Sequence, residues 1–234
     1  MTGAGRPEKP VDQTVPDSAR LAEFLRSRRE AAGLTYRDMA IFGGGRRSAA
    51  TLERAAAGGP SVASWDTVEL YVGVTITDEE HFTGAFAGIC GEARDLWIRA
   101  RRATRASHYV HTAPDPTLIA TKADFCRALR DQHAWGGAPS SGEMEQAAGP
   151  GHLPRTTARR IIKGEILPVT PQQCIAFLRA CNVDVETLVL WLHAGSRATR
   201  DGRWREAYEH QALLYLADKS ETLTGTEPFL RAVA

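Results

Sequence analysis

The same ordering of helix caps, apolar positions and glycine stops runs through this chain twice, and that repetition constrains the fold more than any other feature of its 234 residues. In the first pass Asp17 and Ser18 offer caps, Leu21, Phe24, Leu25 and Ala32 recur at helical spacing, and Gly33 stops the run. Thr35 caps a short segment with Tyr36, Met39 and Ala40 on one face, ended by Gly43, Gly44 and Gly45. Ser48 to Ala57 reads as a third helix facing inward through Leu52, Ala55 and Ala56, closed by Gly58-Gly59-Pro60. Ser64 opens a fourth, with Trp65, Val68, Tyr71 and Val72 as its stripe. Thr77 or Asp78 begins a longer fifth, whose buried side is marked by Phe82, Phe86, Ile89, Ala93, Trp97 and Ala100.

The second pass starts at Thr121, which caps a helix bearing Phe125, Cys126 and Leu129 and ending at Gly136-Gly137. Ser140 or Ser141 caps a short segment with Met144 and Ala148, and Gly149-Pro150-Gly151 makes the turn. Pro154 to Lys163 turns Ala158, Ile161 and Ile162 inward, and Thr170-Pro171 opens a helix with Cys174, Phe177, Leu178 and Cys181. Asp184 begins the fifth, with Leu188, Val189, Trp191 and Leu192. Leu25 and Leu129 stand 104 apart, Met39 and Met144 stand 105 apart, and Leu52 with Ala158, Gly58 with Gly164 and Ser64 with Thr170 stand 106 apart. The one-residue slips fall at the glycine-rich turns, where insertions cost least.

The expected fold is therefore all-α, a duplicated five-helix unit. Its parts are a disordered arm over 1–16, a first domain over 17–106, a linker over 107–120 with Pro114 and Pro116, a second domain over 121–200, and a C-terminal segment over 201–234. That last segment carries a helix from Arg203 to Asp218 with Trp204, Tyr208, Leu213 and Leu216, followed by a frayed end. A homodimer or protein partner through this helix is the expectation.

Charge matters because it is local. The whole chain has 29 basic against 28 acidic side chains, so it exerts no general pull on a polyanion. Between Ser18 and Arg54, however, eight Arg face only Glu23, Glu30, Asp38 and Glu53, while Asp78, Glu79 and Glu80 gather acid elsewhere. The third helix of the second copy offers Arg155, Thr156, Thr157, Arg159, Arg160 and Lys163 with no acidic residue among them. The first copy offers Arg46, Arg47, Ser48, Ala49, Thr51 and Arg54. Small polar side chains interleaved with Arg suit a helix laid in a major groove, since Arg forks onto guanine and Thr or Ala meets a thymine methyl. Thr35, Tyr36 and Arg37 in the first copy, and Ser140 in the second, stand at helix starts where phosphates are held. Arg94, Arg99, Arg101, Arg102 and Arg105 form a further run that suits either backbone phosphates or a helix C-terminus.

The stretches RREAAGLTYRDMA, SAATLERAAAG and PSVASWDTVELYV resemble the XRE (Cro/C1-type) helix-turn-helix family, and LPRTTARRIIKGEILPVTPQQCIAFLRAC resembles it more distantly. That resemblance covers about 160 residues and implies two tandem lambda-repressor-like helix-turn-helix bundles, with recognition helices at about 48–57 and 154–163. It implies a bacterial transcriptional regulator that binds double-stranded DNA in the cytoplasm, in association with the nucleoid.

Other chemistries find little support. Cys90, Cys126, Cys174 and Cys181 have no ligand spacing, and no two of the seven His stand as a ligand pair, so neither metal nor cofactor is expected. The Gly43–Gly45 run and Ser140-Ser141-Gly142 lack the order of a P-loop, and nothing resembles a nucleophile elbow, so no enzyme is expected. No apolar run reaches the roughly 18 residues of a membrane span. Two readings compete with the regulator: a helix-turn-helix-derived protein-interaction module, and a maintenance factor for a replicon or chromosome.

Overall fold

A computed structural model describes residues 8–224, the side chains of 214–224 excepted. Among the described residues the protein is all-helical, with twelve α-helices, one 3-10 turn and a single isolated backbone bridge. The chain divides into two compact units, with the boundary between Ser107 and His108.

The first unit contains α1 (Pro16–Ala31), α2 (Tyr36–Phe42), α3 (Ala49–Ala55), α4 (Trp65–Val74), α5 (Asp78–Thr83) and α6 (Phe86–Arg105). α1 lies along α6, α4 packs on both, and α2 and α3 pack on each other and on α4. Leu21, Leu25, Met39, Leu52, Val68, Tyr71 and Trp97 meet in the core, all at positions expected to face inward. Thr35 and Asp38 close a capping box on α2, and Ser48 accepts the Thr51 amide at the start of α3.

The long fifth helix is two helices. Thr77 and Glu80 cap α5, but Gly84 takes a left-handed φ of +70°, which ends the helix after six residues and lets α6 restart at Phe86. The change of direction leaves Phe82 92% exposed and Phe86 exposed too, where continuous helical phase expected both inside. Residues 8–15, expected to belong to a mobile arm, lie against the unit: the Asp12 amide donates to Ala57 O at 2.9 Å and the Gly59 amide to Asp12 O at 3.2 Å. The remainder of the arm, 1–7, and residues 225–234, expected to fray, lie outside the described residues.

The second unit contains α7 (Lys122–Trp135), α8 (Ser141–Ala148), α9 (Arg155–Ile162), α10 (Pro171–Ala180), α11 (Val185–Thr199) and α12 (Gly202–Thr224). α7 packs on α9, α10 and α11, and α8 packs on α9 and α10. Its buried set repeats that of the first unit at a shift of 106: Val68 with Cys174, Tyr71 with Phe177, Val72 with Leu178 and Thr75 with Cys181 are all buried. On α3 and α9 the large and small members change places, Leu52 and Ala55 in one unit, Ala158 and Ile161 in the other. Such an exchange keeps total core volume nearly constant, which is what a close-packed interior tolerates.

Two segments outside this repeat are tied into the second unit. The stretch expected as a linker buries Pro116 and Ile119, and Arg197 Nη2 on α11 donates to the carbonyls of Pro116, Thr117 and Ile119, each at 3.0 Å. α12 inserts Trp204 between helices; its ring meets Phe125 edge-on at 5.6 Å, and a Cβ on Gly195 would stand 2.3 Å from it. Tyr208 stacks on His193 at 4.9 Å, whereas Leu213 is exposed and the Leu216 side chain lies outside those described. The face of α12 that carries Trp204 and Tyr208 is thus used within the unit, and a partner chain would need another face.

Candidate nucleic-acid interface

α9 combines a buried inner face with an open, basic outer one. Ala158 and Ile161 sit in the core, which by helical phase leaves Arg155, Thr156, Arg159, Arg160 and Lys163 exposed and Thr157 half-buried. Pro154 cannot cap this helix with a side chain, and Glu145 from α8 takes over by accepting the Arg155 amide at 2.9 Å. Glu165 stands 3.5 Å from Arg160 Nε and 3.7 Å from Lys163 Nζ. Acid absent from the helix itself therefore arrives from its neighbours, but these ion pairs are exposed and hold their partners weakly. Arg130 on α7 adds a cation that the repeat pattern did not single out: it is exposed and its side chain runs past Gly164 at the end of α9. Its spacing on α7 gives no hint of that neighbour.

α3 presents less. Ser48 is occupied as a cap and meets Thr51 Oγ1 at 2.9 Å, Ala49 and Thr51 are half-buried, and Arg54 folds back onto Ala50 O at 3.1 Å and Thr51 Oγ1 at 3.4 Å. Arg46 is exposed, with Nε donating to Gly43 O. Arg47 is turned toward α4: Nε donates to Thr67 Oγ1 at 2.9 Å, Nη1 to Arg46 O, and Asp66 lies 3.9 Å away. It lines a cleft with Arg46, Asp66, Glu69 and Leu70, so its first role is to pin the lead-in of α3.

The helix starts are not vacant anion seats. Asp38 accepts from the Thr35 amide at 3.0 Å and from its hydroxyl at 2.6 Å, and these bonds hold the Asp38 carboxyl below its ordinary pKa. Glu143 Oε2 likewise accepts from the Ser140 amide at 2.7 Å. Each capping box thus supplies its own negative charge where a phosphate was expected. Arg37 is exposed, but Tyr36 is half-buried and gives its hydroxyl to Glu8 at 2.5 Å.

The local surplus of arginine shrinks in the same way. Of the eight between Ser18 and Arg54, Arg26 and Arg29 bind Glu8, Arg20 binds Asp17, and buried Arg28 grips Glu80 and Thr75 O. Glu80, read as part of an acidic side, is held down to a pKa of about 2 chiefly by Arg28 and the Thr77 amide. In the α6 run, Arg94 lies over the rings of Trp65 and Trp97 at 4.3 and 4.6 Å, and Arg101, 2% exposed, lies over Trp97 at 4.6 Å. These two arginines pack the core, which leaves Arg99 and Arg105 as the exposed members of that run.

Among the described residues no helix is long and apolar enough to cross a membrane. No family model, no curated protein and no solved structure matches the chain.

Proposed function

We propose that the protein binds double-stranded DNA in a sequence-specific way, as a transcriptional regulator of the helix-turn-helix kind, with α9 as its principal reading element and α3 as a second. The observation that carries this reading is α9 itself, an eight-residue helix whose apolar face is core and whose outer face bears Arg155, Arg159, Arg160 and, just past its end, Lys163, all exposed. A rod of this kind supplies forked donors for base edges and phosphates without first breaking strong internal pairs. Thr156 and Thr157 add small polar contacts between them. Because α3 and α9 differ on their outer faces, the preferred site should lack two-fold symmetry within one chain.

The test is a salt titration of the full chain on random and selected duplexes. Affinity should fall steeply with salt, at a slope worth several phosphates, and the selected site should exceed random DNA by about a thousandfold or more. A chain whose duplex affinity is weak and indifferent to salt would instead support the interaction-module reading. That alternative has its own observation in the first unit, where Ile41 and Phe42 at the end of α2 are 66% and 65% exposed.

A further inference from the structure

Glu8 stands where three donors from two helices converge. Arg26 Nε lies 3.1 Å from Glu8 Oε1, Arg29 Nη2 lies 2.9 Å from Oε2, and the Tyr36 hydroxyl donates to Oε1. Both arginine side chains are more than four-fifths buried, at 17% and 18% exposed, whereas the charges on α3 and α9 are open. The donors are also fixed independently of Glu8. Arg26 Nε is shared with Ala56 O at 2.8 Å, Arg29 Nη1 bonds Leu34 O at 3.1 Å, and the Arg29 guanidinium lies over the Tyr36 ring at 4.9 Å. Arg29 Nε is buried and meets no acceptor among the described residues. The other nearby acid, Glu30, is exposed and 3.7 Å from Arg29 Nη2, so two cations face one well-seated carboxylate.

The cluster thus holds a single carboxylate, brought to it by the chain itself. Two forked cations and a hydroxyl match the oxygens of a phosphate at least as well as the two of a carboxylate. Glu8 reaches the site from a segment whose Lys9 carbonyl also accepts from Arg26 Nη1 at 2.8 Å and which is anchored at Asp12, paired with Ala57 and Gly59 through its backbone. Release of Glu8 therefore need not undo that anchor.

We propose that Arg26, Arg29 and Tyr36 form a phosphate-binding site, that Glu8 is its internal occupant, and that an incoming phosphate displaces the Glu8 carboxylate. The source of that phosphate is the one point at which the inference rests on the DNA reading: a duplex backbone and free inorganic phosphate present the same oxyanion. Either must outcompete a tethered carboxylate whose effective concentration is on the order of millimolar, so the segment sets a threshold on binding.

The experiment uses the full chain, Glu8→Gln and Glu8→Gln/Arg29→Gln, with two readouts. In thermal melts, sodium phosphate is compared with sodium chloride at matched ionic strength and pH. Phosphate should raise the melting temperature of Glu8→Gln by about 2–4 °C, raise that of the wild type by less than half as much, and leave the double variant unmoved. Should Glu8→Gln be strongly destabilised, the readout is the same, because phosphate must restore its melting temperature where chloride does not. Absence of a phosphate-specific rise in Glu8→Gln overturns the inference. In the second readout, Glu8→Gln should bind a random duplex about 3–10-fold more tightly than wild type, with a salt slope steeper by about 0.9, one added phosphate contact. A rise in melting temperature without that gain assigns the site to free phosphate. A wild-type chain with no duplex affinity sinks the DNA reading, while the melts still decide the site.

Discussion

α3 and α9 stand at corresponding positions in the repeated sequence pattern of the two units, and they differ in the face that is easiest to read. Inside, they agree to the residue: positions 52 and 55 and positions 158 and 161 are buried, with large and small side chains exchanged. Outside, α9 holds its cations open, whereas α3 and its lead-in turn them back, Arg47 onto Thr67 and Arg54 onto its own helix. The contrast teaches that a count of arginines is an upper bound on the charge a surface offers, because each guanidinium satisfied internally is withdrawn from a partner. It also explains why burial registers repeat while outer faces do not: packing constrains the first to fractions of an ångström and leaves the second free.

The largest test concerns how the units are closed. The first is completed by Trp97 of α6, whose Nε1 donates to Ala63 O at 2.8 Å; the second needs Trp204 from a twelfth helix beside Trp191. Trp204→Ala should therefore cost about 3–5 kcal/mol in the unfolding of the second unit, measured by denaturant titration, with little effect on the first. Gly195→Ala approaches the same contact from the other side, since the added Cβ would collide with the indole. A loss below about 1 kcal/mol in Trp204→Ala would mean that α12 merely rests on the unit.

The exchange of large and small residues can be tested directly. Leu52→Ala should cost about 2–5 kcal/mol, and adding Ala55→Ile, which imports the pair found on α9, should recover at least about 1 kcal/mol of it. If the second substitution deepens the loss, the two helices fill their cores in unrelated ways and the correspondence is one of spacing alone.

Next comes the contrast of the outer faces. Arg159→Ala/Arg160→Ala should weaken duplex binding by about 30-fold and flatten the salt slope by about 2, whereas Arg46→Ala/Arg54→Ala should weaken it by only about 3–5-fold. Fluorescence anisotropy with a labelled duplex reads both. The reverse order would make α3 the principal element and leave the openness of α9 without a role in DNA binding.

Much of the architecture was legible because it is local. Caps at Thr35, Ser48, Thr121, Ser140 and Asp184 and the apolar phase behind them fix short helices with no help from distant residues. What escaped was non-local or depended on a single dihedral angle. Gly84 could sit within a helix or end one, and only the packing of α5, held by Arg28 to α1, decides that it ends one. The stretch around Pro116 looked like a linker because the side chain that fixes it, Arg197, stands some 80 residues further on. For the same reason Tyr36 and Arg47 looked available. The partners that engage them, Glu8 and Thr67, lie 28 and 20 residues away and carry no pattern linking them to these sites.

The Arg28–Glu80 pair gives the smallest effect and a sharp asymmetry between the units, since Gln132, which stands where Arg28 does and bonds Cys181 O as Arg28 bonds Thr75 O, carries no charge. Glu80 titrates at about 2 in the folded chain because Arg28 and the Thr77 amide favour its charged form, against about 4.3 for an unstructured glutamate. A depressed folded pKa means that the unfolded chain takes up the proton first. The contribution is therefore complete above about pH 4.3 and is lost as pH falls toward 2. Glu80→Gln should remove that component: wild type and variant should differ at neutral pH and converge between about pH 4 and 2, in thermal melts that follow the first unit. The comparison must be made against the wild type, because other carboxylates also titrate in that window. Asp124, held below its ordinary pKa by the Thr121 hydroxyl and amide at the start of α7, lies in the second unit and should leave the difference between the two curves untouched. A difference that persists undiminished at pH 2 would show that Glu80→Gln acts through packing at the α1–α5 contact and that the ion pair contributes nothing.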